Sequence, residues 1–212
     1  MRVTIKLKIF LFLILFILTK QIEIYAILML FAIIHELGHL LAGVLLKLKP
    51  KKLTIMPFGF SIIFEESGSI KKANWKKLLI ATAGPSINFG IAIILFLLNK
   101  DGTENLIYAN LLIAIFNLLP IYPLDGGRIL KSILQMKLEK RKTEQILHYI
   151  TNITLIFLTA LSSFIILLIK NIVLILVLAY LWSIVIKENK RYALKERVYD
   201  IIEDSCPRKC QY

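Results

Sequence analysis

The stretch Ile24–Leu46 reads I-Y-A-I-L-M-L-F-A-I-I-H-E-L-G-H-L-L-A-G-V-L-L. It is apolar over a length that crosses a bilayer, yet His35, Glu36 and His39 sit inside it. Ionisable side chains are costly at that depth and mark functional sites by default. The spacing H-E-x-x-H is also the one by which a helix offers two imidazoles, one turn apart, to a zinc ion. The stretch therefore points to metal chemistry carried out within a membrane.

The rest of the chain agrees with a membrane setting. Its 212 residues are 58% hydrophobic, with a mean hydropathy of +0.73, and the apolar segments run on with few interruptions. The net charge of +13 does not indicate nucleic acid, because the basic residues cluster in short segments between apolar runs. Anionic headgroups and topology account for them. Cys206 and Cys210 stand in the C-terminal tail without a partner cluster and suggest no metal framework. Arg2, Lys6 and Lys8 precede an apolar core from Ile9 to Leu18, as in a signal peptide. No small-residue cleavage site follows, and we read the segment as an uncleaved first span.

Six spans are expected, at about 5–19, 24–46, 78–98, 106–123, 146–169 and 172–186. Together they make an all-α membrane core, residues 1–186, followed by a short polar tail, 187–212. Of the 27 Lys and Arg residues, all but Lys20, Lys100 and Lys170 fall before span one, between spans two and three, after span four or after span six. Such alternation puts both termini and the tail in the cytoplasm. In the tail, Tyr192, Leu194, Val198, Ile201 and Ile202 share one helical face, which suggests a helix lying on the membrane surface. The segment Lys49–Ser69 is too broken for a span. Its β-branched and aromatic residues around Pro57 and Gly59 suggest a small hairpin at the cytoplasmic face, with an edge open to an extended peptide; a lipid-facing loop is the alternative.

His35 and His39 project from one helix face, with Glu36 in the neighbouring sector, where it can reach a water at the metal. Gly38 allows another backbone or a substrate to approach. A catalytic zinc needs a third protein ligand and an open position. His148 and Asp125 are the two candidates. His148 begins span five without a supporting motif. Asp125 lies in Asn117-Leu118-Leu119-Pro120-Ile121-Tyr122-Pro123-Leu124-Asp125-Gly126-Gly127-Arg128, where Pro and Gly break regular helix. Irregular backbone at membrane depth must line a cavity or be covered by protein. Asp125 reaches the metal only if this stretch turns back into the bundle.

H-E-L-G-H in one span and N-x2-P-x4-D-G in a later one resemble the site-2 protease family of intramembrane zinc metalloproteases, and Ala83-Gly84-Pro85-Ser86-Ile87-Asn88 looks like a further element of it. The resemblance covers about Ile27 to Leu130. It implies one zinc ion held by His35, His39 and Asp125, with Glu36 as general base. It further implies that Asn117 and Asn88 hold a substrate peptide, drawn from a membrane-tethered protein. The compact plan is most similar to the sporulation stage IV members, which release a sigma factor from a membrane-tethered pro-form. That likeness implies a multi-pass protein of the bacterial cytoplasmic or forespore-surrounding membrane. An inhibitory membrane partner and an oligomer are compatible with it. Such relatives often carry a regulatory nucleotide-binding domain after the last span; only about 25 residues follow here, and we expect no ATP regulation of that kind. A zinc transporter would need a hydrophilic path through both leaflets, and outside the motifs the outer halves of the spans carry no charge. An inactive scaffold would not need Glu36.

Overall fold

The computed structural model describes residues 2–5, 22–48, 50–56, 59–64, 70–98, 100–169 and 172–205. The first expected span, from residue 6 onward, and Cys206 and Cys210 lie outside the described residues. The chain divides into two compact units, Met1–Leu118 and Leu119–Tyr212.

The first unit holds β1 (Arg2–Ile5), α1 (Ile22–Leu45), β2 (Pro50–Met56), β3 (Gly59–Phe64), α2 (Ile70–Leu98) and α3 (Glu104–Leu118). At 1.5 Å per residue, α1 is about 36 Å long, enough for the roughly 30 Å hydrocarbon layer. Its end is set by backbone geometry. Lys47 takes φ 56°, Lys47 N–H donates to Val44 O and Leu48 N–H donates to Gly43 O, both at 2.9 Å. This pair of bonds is a left-handed cap that satisfies the last carbonyls, and Lys76 Nζ donates to a further one, Leu46 O.

Helix α2 packs against both α1 and α3. Its buried face, Ile80, Ala81, Gly84, Asn88 and Ala92, repeats every three to four residues and is mostly small. Its other face exposes Ile93, Ile94, Phe96 and Leu97. Such a surface is unfavourable in water and favourable in lipid. Ile22–Leu45, Asn74–Leu98 and Lys140–Phe164 are long and apolar enough to cross a membrane, and α3 is a shorter apolar helix. Strands β2 and β3 pair antiparallel, with Leu53 opposite Ile62 and Ile55 opposite Phe60. β1 pairs parallel to β2, so one edge of β2 is taken and β3 ends the sheet.

The second unit holds α4 (Asp125–Lys137), α5 (Lys140–Ile169) and α6 (Ile172–Ser205), with α5 packed against α4 and α6. Leu147, Thr151 and Leu155 of α5 and Leu181 and Val185 of α6 are buried. Beyond this apolar contact a polar ladder continues at helical spacing. Asn189 Nδ2 donates to Asn152 Oδ1 at 2.8 Å, and His148 stacks on Tyr192 with centroids 4.2 Å apart. Lys195 reaches Glu144 at 2.9 Å. Arg141 spans Glu196, Asp200 and Glu203. Burial, and after it Glu196, hold the Tyr192 phenol above its ordinary pKa.

This ladder explains a departure from the sequence reading. The tail is not a separate surface helix; residues 187–205 continue α6 without a break, because they dock on the first turns of α5. Likewise α3 stops at Leu118 rather than running to Pro123, since the residues before Pro120 and Pro123 are steered away from helical dihedrals. We expect Arg141→Met to speed backbone amide exchange over residues 196–205 while leaving α1 unchanged, as read by hydrogen exchange with mass spectrometry.

Candidate metal centre

His35 and His39 are both buried, 2% and 3% exposed, although α1 is almost wholly apolar. Buried polar groups must find partners. His39 Nδ1 lies 2.6 Å from Ile80 O of α2. A carbonyl can only accept, so this contact places the proton on Nδ1 and leaves Nε2 with its lone pair exposed. That is the second-shell arrangement by which proteins orient a ligating imidazole. Nε2 of His39 lies 3.2 Å from Nε2 of His35, and the two rings meet edge to face. Two nitrogens bound to one tetrahedral zinc at about 2.05 Å each would stand roughly 3.3 Å apart. The pair therefore has the spacing of two ligands of one ion.

Glycines make room for this pair. A Cβ at Gly84 would collide with Nε2 and Cε1 of His39 and lie 2.7 Å from His35 Nε2. A Cβ at Gly38 would lie 2.7 Å from Ile87 Cδ1 and 3.3 Å from Gly84 Cα. The two glycines thus bring α1 and α2 together, and the space beside Gly84 is filled by the imidazole edges. Sequence reading allowed a close approach at Gly38 but had no role for Gly84; a glycine directly before a proline within an apolar helix was the available signal.

Asp125 is the first residue of α4 and is buried, 5% exposed. The positive end of the helix dipole favours its carboxylate form, and Arg128 Nη1 lies 3.7 Å from it. The turn ahead of it is specified by backbone contacts. Leu124 N–H donates to Ile121 O and Arg128 N–H to Leu124 O, and the Tyr122–Pro123 bond is cis. Tyr122 N–H donates to Thr151 Oγ1 of α5 at 3.2 Å. At Gly127 a Cβ would lie 2.5 Å from Tyr122 N, so the turn folds back onto the helix at a point where only glycine fits.

His35 and His39 are thus a converging imidazole pair in the first unit, and Asp125 is a buried carboxylate at the head of α4 in the second. His148 is engaged elsewhere: its ring stacks on Tyr192, and its Nδ1 lies 3.3 Å from Asn152 Nδ2. Glu36 is half-buried, about 100° around α1 from His35. Asn88 is fully buried, and neither its amide nitrogen nor its oxygen has a hydrogen-bond partner. It lies one turn along α2 from Gly84, on the same face. Asn117 donates to Ile113 O of its own helix at 3.0 Å, which leaves its amide oxygen for other work. We expect Gly84→Ala to remove stoichiometric zinc binding, measured by metal analysis of the purified protein, with helix content by circular dichroism retained.

The chain is similar to known proteins over this same region. It matches the model of peptidase family M50 at residues 23–100 and 103–161. It is 32% identical over 132 residues to the zinc metalloprotease MJ0392 of Methanocaldococcus jannaschii, covering 58% of this chain and 38% of that protein. It is 29% identical over 135 residues to stage IV sporulation protein FB of Bacillus subtilis, covering 61% of this chain and 46% of that protein. A putative zinc metalloprotease of Synechocystis is 36% identical over 121 residues, covering 50% and 30%. The chain spans less than half the length of these relatives. Among solved structures, the site-2 protease from Methanocaldococcus jannaschii superposes with a TM-score of 0.67 at 28% identity, covering 88% of this chain and 89% of that one. With the family model matched along α1 from residue 23 and through the Asp125 turn, the chain belongs to peptidase family M50.

Proposed function

We propose that this protein is a zinc-dependent endopeptidase that hydrolyses a peptide bond in or near the membrane segment of a membrane-tethered protein. The observation that carries the proposal is the donor set. Two buried imidazoles with converging Nε2 atoms in the first unit, and one buried carboxylate in the second, are the N, N and O donors that a single zinc ion would take. This is the ligand chemistry of a hydrolytic zinc site rather than a closed structural one, which takes four protein ligands. Six spans with both termini cytoplasmic remain our reading of the topology. It is supported by the three apolar helices of spanning length and by the alternation of basic segments.

Zinc, when bound, acts as a Lewis acid that polarises a carbonyl and acidifies water. His39 is held for this by Ile80 O, which fixes its tautomer. Asp125 would add a carboxylate oxygen to the two imidazole nitrogens, at a helix N-terminus whose dipole favours negative charge. Glu36 accepts a proton from the attacking water and returns it to the leaving amine nitrogen. The amides of Asn88 and Asn117 hold the substrate backbone, which must leave helical form near the cut, because a helix hides its carbonyls in hydrogen bonds. For Asn88 the support is direct: a buried amide without a partner costs about 1–3 kcal/mol, and a substrate strand would relieve that cost.

The substrate we propose is a membrane-tethered precursor of a transcription factor, such as the pro-form of a sigma factor, cut during sporulation. It rests on the likeness to stage IV sporulation protein FB. An inhibitory membrane protein is the matching means of control. The decisive experiment reconstitutes the protein with such a precursor. Glu36→Gln is expected to retain zinc and lower the cleavage rate by about 10²–10⁴-fold, the usual contribution of a general base. Undiminished cleavage would remove Glu36 from that role. Asp125→Ala is expected to lower zinc affinity at least tenfold, read by competition with a chromophoric chelator.

A further inference from the structure

The C-terminal part of α6 has a side that the reaction does not use. Leu194, Val198, Ile201 and Ile202 are between 54% and 63% exposed. At 100° per residue they fall within one sector of about 100°. Lys187, Lys190 and Arg191 fall in or beside the same sector, as do Lys195 and Arg197 further along, and all five are exposed. Of the acidic residues of this stretch, Glu196, Asp200 and Glu203 lie on another side of the helix and engage Arg141 of α5, Glu188 pairs with Arg191, and Asp204 stands in the last turn. From Leu194 to Glu203 the helix therefore separates its charges. Its acidic side is spent on internal contacts, and its outer side is a basic and apolar stripe.

The stripe is also rigid and shaped. The Asn152–Asn189 bond, the His148–Tyr192 stack and the Lys195–Glu144 pair hold the helix on α5. A partner would bind a surface that is already ordered, which lowers the cost of association. Beside the stripe an open groove of about 360 Å³ runs between Lys140, Leu194, Lys195, Val198 and Tyr199, wide enough to seat a large apolar side chain.

We propose that this stripe docks an acidic amphipathic segment of a partner protein, with its apolar side chains on Leu194 and Val198 and its carboxylates against the flanking Lys and Arg residues. Charge and geometry decide against the two other occupants that an apolar stripe invites. A second copy would pair the same basic face with itself, because a two-fold interface brings like patches together. A bilayer would suit the charge but not the geometry. Helix α6 runs unbroken from its apolar first half, and if residues 172–186 cross a membrane, Leu194 and Val198 lie about 12 and 18 Å beyond Ile186 along the axis. Both are past the reach of headgroup charge, about 8 Å at physiological salt. The stripe is independent of the metal ligands, and its failure would leave the peptidase reading untouched.

The test uses the full chain in nanodiscs of zwitterionic lipid and two fluorescent amphipathic peptides, one of Leu and Glu and one of Leu and Lys, read by anisotropy. The Glu peptide is expected to bind with an affinity that falls as salt rises, and the Lys peptide is expected not to bind. Leu194→Ser with Val198→Ser, and separately Lys190→Glu with Arg197→Glu, are expected to weaken Glu-peptide binding about tenfold or more. All four positions are exposed, and unchanged hydrogen exchange along α6 would establish that each variant is folded. Equal binding of the two peptides, or unchanged affinity in both folded double variants, would overturn the proposal. So would a stripe that instead crosslinks to a second copy through Val198→Cys, or that binds phosphatidylserine vesicles while ignoring the Glu peptide.

Discussion

The first unit depends on one contact, the bond from His39 Nδ1–H to Ile80 O. An imidazole in an apolar helix pair is costly unless a partner satisfies it. The partner here is a helix carbonyl, and such a carbonyl is within reach only if the two helices nearly touch. Gly38 and Gly84 supply that approach. Close packing of small residues is also what holds apolar helices together when lipid removes the hydrophobic drive between them. The same two glycines thus support helix association and ligand orientation, so site and fold cannot be varied separately here.

The second unit solves a different problem. The turn before α4 carries backbone groups that no regular helix satisfies, and each must be paired. Ile121 O and Leu124 O take two N–H groups from within the turn and α4, and Thr151 takes the N–H of Tyr122. Lys131 lies over the Tyr122 ring and also within 3.9 Å of Oε1 of the buried Glu144, the same oxygen that Lys195 of α6 reaches. A chain of side chains therefore runs from α6 through α5 to the residues just ahead of Asp125. Contacts of this kind restrict the turn, and Asp125 follows it directly as the first residue of α4.

Much of this was legible in the sequence for definite reasons. His35 and His39 stand four residues apart, and helical periodicity alone places them on one face. Asp125 was marked by being an acidic residue among apolar ones and by the Pro and Gly around it. Peptidase family membership was legible from the same two motifs. The role of Gly84 was not, because a glycine beside a proline reads equally well as a bend. The unbroken course of α6 was not either. Polarity after Lys187 suggested a separate helix on the membrane surface, and only the facing residues of α5, Arg141, Glu144 and His148, give that polarity a partner.

What the sequence determined by itself, then, is chemistry and periodicity: which atoms are on offer, on which face of which helix, in a chain whose apolar segments suit lipid. What only the tertiary structure decided is which of those atoms are already engaged. The tautomer of His39 follows from a carbonyl forty-one residues away, the fit of its ring from a missing Cβ at Gly84, and the bare side of α6 from the use of its other side against α5. The reason is physical. Hydrogen bonding and steric exclusion act over a few ångströms between residues distant in the chain, and no local pattern records which of them meet.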